Sequence, residues 1–197
     1  MDDLVLLERW CGGDARAGEA LFAKHFADIY RFFEHKVGGE ADDLAQRTFM
    51  GCVAGRDRFR GQSSFRTYLF AIARNELYTF FRRLPKREHV DFEVTSIAEL
   101  VTSLPSKLGR AREVEQLRIA LSELPTEQQL LLELHYWHDL DAAGLAEVFD
   151  VPAGTIRVRL LRARRALRDR LARAPDFRAG SDNLSQALSN PEADEIR

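Results

Sequence analysis

The sequence predicts an all-α protein of two small helical domains joined by a flexible linker, the second domain containing a helix-turn-helix. Three features point there. Apolar residues recur every three or four positions through most of the 197 residues. No segment alternates apolar and polar residues for long, as a half-buried strand would. A polar, acidic stretch over 86–110, punctuated by Pro105 and Gly109, separates two periodic blocks.

The elements follow in order. Asp14 stands after the Gly12-Gly13 break, where it can cap a helix carrying Ala20, Leu21, Ala23, Phe26, Ile29, Tyr30 and Phe33. That helix stops near Gly38-Gly39. The next starts around Asp42, with Leu44, Phe49, Cys52 and Val53 apolar. A polar loop runs from Arg56 to Ser64. A long helix then spans about 65–83 and ends at Pro85, because proline disfavours a helical residue before it. These elements make a first domain over 1–85. Residues 86–110 form the linker, with a helical turn near Ile97, Leu100 and Val101. The second domain spans 111–174, with helices near 111–123, 126–138, 142–149 and 153–173. The acidic tail, 175–197, is expected to be mobile, with Leu184 and Leu188 suited to one helical turn.

Composition excludes several classes. The chain is 45% hydrophobic and 30% charged, enough to bury a core. No apolar run approaches the roughly 18 residues of a membrane span, so no membrane insertion is expected. The start, Met1-Asp-Asp-Leu, lacks a basic segment before an apolar one, which argues against a secretory signal. Cys11 and Cys52 are too few for a disulfide framework and read as small apolar side chains. The expected compartment is a reducing cytoplasm.

The net charge of −2 conceals alternating blocks. Residues 1–55 carry −4, 56–87 carry +7, 88–109 carry −3, 110–150 carry −6, 151–174 carry +7 and 175–197 carry −3. Two compact basic segments in an acidic chain are the footprint of a polyanion binder. Charge alone leaves open that both are solvated helix faces.

The second basic block has the sharper pattern. Ala142–Phe149 is a short helix, a tight turn follows, and Pro152 fits the first turn of the next helix. At roughly 100° per residue, Ile156, Leu160, Ala163, Leu167 and Leu171 fall within an arc of about 80°. Thr155, Val158, Arg162 and Arg165 lie opposite, Arg159 beside them, and Arg157 and Arg168 flank the stripe. Such a helix suits the DNA major groove, where arginine pairs with guanine edges or phosphates and Val158 meets a thymine methyl. A coiled-coil helix is the plainer alternative. Eight arginines against one acid, Asp169, argue against it, since coiled-coil flanks mix signs.

The first basic block combines the loop with helix 65–83. The helix buries Phe65, Leu69, Ile72, Ala73, Leu77 and Phe80. Opposite them stand Thr67, Arg74, Asn75, Tyr78, Phe81 and Arg82. Rings that stack bases, arginines that meet phosphates and an amide that reads a base edge suit single-stranded DNA. The loop adds Arg58, Arg60, Gly61, Ser63 and Ser64. Packing of Tyr78 and Phe81 on a neighbouring helix is the alternative.

The chain is similar to an extracytoplasmic-function (ECF) sigma factor, of the sigma-70 family of bacterial RNA polymerase. The matching segments are Asp43-Leu-Ala-Gln-Arg-Thr-Phe49, Arg58 through Asn75, Leu124-Pro-Thr-Glu-Gln, and Ala153 through Arg165 with its preceding helix. They cover about 15–84 and 113–172, in the family's order and spacing. The resemblance implies a sigma region 2 in the first domain. Its Asp43, Gln46 and Phe49 would meet the clamp coiled coil of core polymerase. Arg58, Arg60, Ser63, Ser64, Arg74, Asn75, Tyr78 and Arg82 would melt and hold the minus-ten element, the loop Arg60–Ser64 lining a pocket for a flipped base. It implies a region 4 in the second domain, reading the minus-thirty-five element with Thr155, Arg157, Val158, Arg162 and Arg165 and touching the polymerase flap. The linker would thread the polymerase cleft. An anti-sigma factor is a further partner the resemblance implies. Three positions depart from the family's habit: Arg47 for an acid, Thr79 for an aspartate and Val158 for a serine.

Other functions find less. His135 and His138 make half a metal site with no completing cluster. Asp42-Asp43 fits a helix N-terminus without any metal. No glycine-rich stretch has phosphate-loop spacing. No enzyme, cofactor or metal is expected. A stand-alone helix-turn-helix regulator explains the second domain only. A protein that sequesters a partner leaves both +7 blocks unexplained.

Overall fold

The structure is a computed structural model and describes residues 2–56, 59, 63–83 and 111–173. All regular elements among these residues are helical. They form two helical bodies.

The first body holds α1 (Asp3–Cys11), α2 (Ala15–Val37), a short 3-10 turn (Gly38–Glu40), α3 (Ala41–Ala54) and α4 (Phe65–Arg83). α1 is absent from the sequence reading. It is short, but Leu6, Leu7 and Trp10 recur at helical spacing and are all buried. Gly13 ends it in a left-handed conformation, φ +98°, which glycine adopts without strain. Asp14 caps α2 as expected, its Oδ1 accepting from the Arg16 and Ala17 amides at 3.0 and 3.2 Å. Its Oδ2 takes Arg9 Nη2 at 2.7 Å, so one carboxylate joins α1 to α2. The Arg9 hydrogen bond, the Ala17 amide and the Arg9 charge hold this carboxyl below the usual carboxylate range, outweighing the opposing effect of desolvation.

The apolar set of α2 differs from the sequence reading. Leu21, Ile29 and Phe33 are buried as expected, but Ala20, Ala23 and Phe26 are exposed, and Ala17 and Phe32 are buried instead. α1 lies so close to α2 that a Cβ on Gly18 would sit 2.4 Å from the Trp10 indole. Trp10, Phe22 and Phe65 meet around this point, with ring centroids 5.2 to 6.5 Å apart. α3 buries Leu44, Ala45, Thr48 and Cys52. α4 buries Phe65, Leu69, Phe70, Ala73 and Leu77. Ile72 and Phe80, expected in the stripe, are half-buried.

The second body holds α5 (Ala111–Ser122), α6 (Thr126–Tyr136), α7 (Ala142–Phe149) and α8 (Ala153–Leu171). α8 packs on α5 and α6. Its predicted stripe is the buried one: Ile156, Leu160, Ala163, Leu167 and Leu171 are each 3% exposed or less. Gln129 closes the α5–α6 turn by donating to the Leu124 and Ser122 carbonyls at 2.7 and 3.2 Å. Asp141 Oδ1 accepts from the Gly144 amide at 2.7 Å and starts α7. Between α7 and α8, Asp150 is left-handed, φ 54°, and the Val151 amide bonds the Ala146 carbonyl at 3.0 Å. Pro152 stands just before α8 rather than inside it, its carbonyl accepting from Thr155 and Ile156. The linker and the tail lie outside the described residues.

Candidate nucleic-acid and polymerase interfaces

α4 begins where Ser64 Oγ accepts from the Thr67 amide at 3.0 Å, with the two hydroxyls 2.8 Å apart. Thr67 is therefore buried, and its expected place on the outward face is corrected: it serves the first turn of its own helix. Phe59 anchors the preceding loop. Its ring lies 4.8 Å from Tyr68 and 6.5 Å from Phe65. Ser63 is half-buried. Arg58 and Arg60 lie outside the described residues.

Further along α4, Asn75 and Arg82 are exposed, and Arg74, Tyr78 and Phe81 are half-buried. The Arg74 guanidinium rests 4.7 Å from the centre of the Tyr78 ring, one helical turn on. Arg82 Nη2 donates to Thr79 Oγ1 at 2.9 Å. Cation, amide and ring thus line one strip of a rigid helix.

On α3, Asp43 and Gln46 are exposed and Phe49 is half-buried. Arg47 pairs with Asp43 at 2.7 Å, so the departure at Arg47 ties up the one acid assigned to polymerase. Phe49 packs on Phe22 and Phe26 at 5.1 and 6.1 Å. Together with Gln46 and Met50 these rings line an open, mainly apolar groove. Met50 is 63% exposed and Val53 51% exposed. Sequence reasoning placed Val53 among apolar positions and missed Met50. The available signal was apolar residues at 49, 50 and 53, too many for one buried stripe.

On α8, Arg157, Val158, Arg162 and Arg165 face solvent and Thr155 is half-buried. Val158 is joined by Leu161, 60% exposed, which sequence reasoning left unassigned. Arg159 is bonded to Glu127 of α6. Arg164 departs from the picture of arginines around the outside: it is 4% exposed. The two histidines considered for a metal have other partners. His135 bonds the Leu140 carbonyl and Arg164, and His138 lies 3.8 Å from Glu133.

The sigma-70 region 2 family model matches residues 21–87, and the sigma-70 region 4 model matches residues 115–167. A probable RNA polymerase sigma-C factor of Mycobacterium bovis is 35% identical over 159 residues, covering 79% of this chain and 83% of that protein. The chain belongs to the ECF group of the sigma-70 family. An ECF RNA polymerase sigma-E factor of Salmonella typhimurium is 29% identical over 178 residues, covering 85% of this chain and 93% of its own. Among solved structures, the sigma factor RpoE of Bartonella quintana, in complex with the anti-sigma factor NepR, matches with TM-score 0.56. It is 22% identical and covers 79% of this chain and 96% of its own, which establishes likeness of fold. Regions 2 and 4 on one chain favour a sigma factor over a stand-alone regulator, which has no use for region 2. No described helix is long and apolar enough to cross a membrane.

Proposed function

We propose that this sigma factor binds bacterial core RNA polymerase, brings it to promoters and opens the minus-ten region, in the cytoplasm and without catalytic chemistry, cofactor or metal of its own. The observation that carries the reading is the presence on one chain of two differently built faces. One is the arginine-and-apolar face of α8; the other is the ring-cation-amide strip of α4.

The α8 face suits duplex DNA. Arg162 and Arg165 present flat donor forks to guanine edges or phosphates, Arg157 flanks them, Thr155 adds a hydroxyl, and Val158 offers a methyl-sized contact. The α4 strip suits an unpaired strand. Tyr78 stacks a base, Asn75 reads an edge, and Arg74 and Arg82 meet phosphates. Arg58, Arg60, Ser63 and Ser64 hold a flipped base beside them. Stacking on a fixed ring offsets part of the cost of unstacking the duplex. The domains are assigned as 1–85 for region 2, 86–110 for the linker, 111–174 for region 4 and 175–197 for the tail.

Polymerase docks on α3 in this reading, with Asp43 and Gln46 as polar contacts and Phe49 as the apolar anchor against the clamp coiled coil. The second body touches the flap. An anti-sigma factor, as bound by the Bartonella relative, competes for these surfaces. Run-off transcription tests the proposal, comparing core polymerase alone with core plus this chain. Specific transcripts that require the chain are expected. Transcripts independent of it would refute the reading.

A further inference from the structure

Eight arginines stand on and just after α8, and only Arg164 is buried. Its Nε donates to Tyr136 Oη at 2.8 Å and its Nη2 bonds His135 Nε2 at 2.9 Å. The guanidinium carbon lies 5.6 Å from the Tyr136 ring centre. On the far side of the imidazole, His135 Nδ1 is 2.9 Å from the Leu140 carbonyl. A carbonyl only accepts and a guanidinium only donates. His135 therefore carries its proton on Nδ1 and accepts from Arg164 through Nε2. One fork thus ties α8 to the last turn of α6, and through His135 to the chain that enters α7.

We infer that Arg164 is a positioning residue for the DNA-reading face, fixing the roll of α8 without touching DNA. The apolar seam of α8 sets the roll only broadly, because hydrophobic contact is not itself directional. A planar guanidinium held at two of its nitrogens is directional. A roll of about 20° moves a side-chain tip at the roughly 6 Å helix radius by about 2 Å. That exceeds what a hydrogen bond to a base edge tolerates. Phosphate attraction survives such a roll, since any outward arginine supplies it. Loss of the fork therefore lowers selectivity and spares non-specific binding. The inference rests on α8 being the DNA-reading helix.

The test uses the full chain and two labelled duplexes of equal length. One is enriched by the wild-type chain from a random-sequence pool; the other is unrelated. Arg164→Met, Tyr136→Phe, their double variant and Arg162→Ala are compared, with thermal melts confirming a folded state at the assay temperature. Arg164→Met is expected to cut the ratio of specific to non-specific affinity about tenfold, with the salt slope unchanged. Tyr136→Phe, which keeps the ring, cuts it about threefold, and the double variant is no worse than Arg164→Met. Arg162→Ala instead weakens specific binding about tenfold or more if it meets a base edge, or lowers the slope by about one if it meets a phosphate. An unchanged ratio in folded Arg164→Met, or a slope lower by one, overturns the inference. If Arg164→Met does not fold, an unchanged ratio in Tyr136→Phe overturns it. If the wild type shows no selectivity, or Arg162→Ala changes nothing, the DNA-reading face itself is misassigned and the inference falls with it.

Discussion

The Arg74 guanidinium and the Tyr78 ring stack 4.7 Å apart on α4. In the proposed reading the cation restrains the ring, so a base stacking on Tyr78 meets a platform already partly ordered. Less conformational entropy is then lost on binding.

From that follows the first prediction. Tyr78→Ala and Asn75→Ala reduce opening of the minus-ten region, each lost base stack costing about 1–3 kcal/mol. Both variants keep wild-type affinity for a minus-thirty-five duplex. Permanganate reactivity of unpaired thymines, on closed and pre-melted templates, reads the effect. A pre-melted template restores a pure melting defect and leaves a lost strand contact unrestored.

Arg162→Ala has the opposite profile. It weakens binding to the minus-thirty-five duplex by about 1–3 kcal/mol if its contact is a bidentate base pair. Melting of a pre-bound promoter is unaffected. Fluorescence anisotropy against a salt series measures the change.

The groove beside Phe49 supplies the third prediction. Met50→Glu puts a charge into an apolar surface that needs no side chain for folding, since Met50 is 63% exposed. Core polymerase binding falls by about 2 kcal/mol or more, and the melting temperature stays within a degree or two. Co-purification with core enzyme and a thermal melt separate the two effects.

Gly18→Ala acts on folding instead. The added methyl meets the indole of Trp10, whose ring is locked by Phe22 and Phe65. Overpacking costs about 1–3 kcal/mol. Urea denaturation measures the loss, and Trp10→Phe relieves part of it.

Alkaline pH tests the core of the first body. Burial, with a smaller effect of Cys11, pushes the Cys52 thiol up to about 12, from an ordinary 9.0. Between those values the unfolded chain has released a proton that the folded chain still holds. Rising pH therefore favours unfolding across that window. Cys52→Ala removes this component of the pH dependence. At pH 8, iodoacetamide modifies exposed Cys11 and reaches Cys52 only in denaturant.

The long elements were legible because each carries a strong local signal. Asp14 after two glycines and the five-residue seam of α8 follow from capping and periodicity. α1 was missed because its nine residues hold only three buried side chains. Thr67 was misread because angle on a helical wheel gives direction, yet its hydroxyl turns back to Ser64. Arg164 was given no place of its own, although it stands at the edge of the buried seam. Phe26 was read into the α2 stripe and Met50 was left out, because periodicity marks which residues are apolar and is silent on which apolar residues a body leaves uncovered. Arg58 and Arg60 lie outside the described residues.

The seating of Trp10 on Gly18 bears on how fragments of this protein should be cut. The region 2 match begins at residue 21, after both residues. A fragment starting there removes the indole that faces Phe22 and Phe65, together with Leu6 and Leu7, and uncovers one side of those two rings. The smallest piece that retains the observed packing begins upstream of Asp3, whose carboxylate oxygens reach Lys24 at 2.5 Å and His25 at 2.8 Å. Domain boundaries drawn from family likeness alone would yield a region 2 fragment prone to clump, and its poor behaviour would be blamed on the wrong residues.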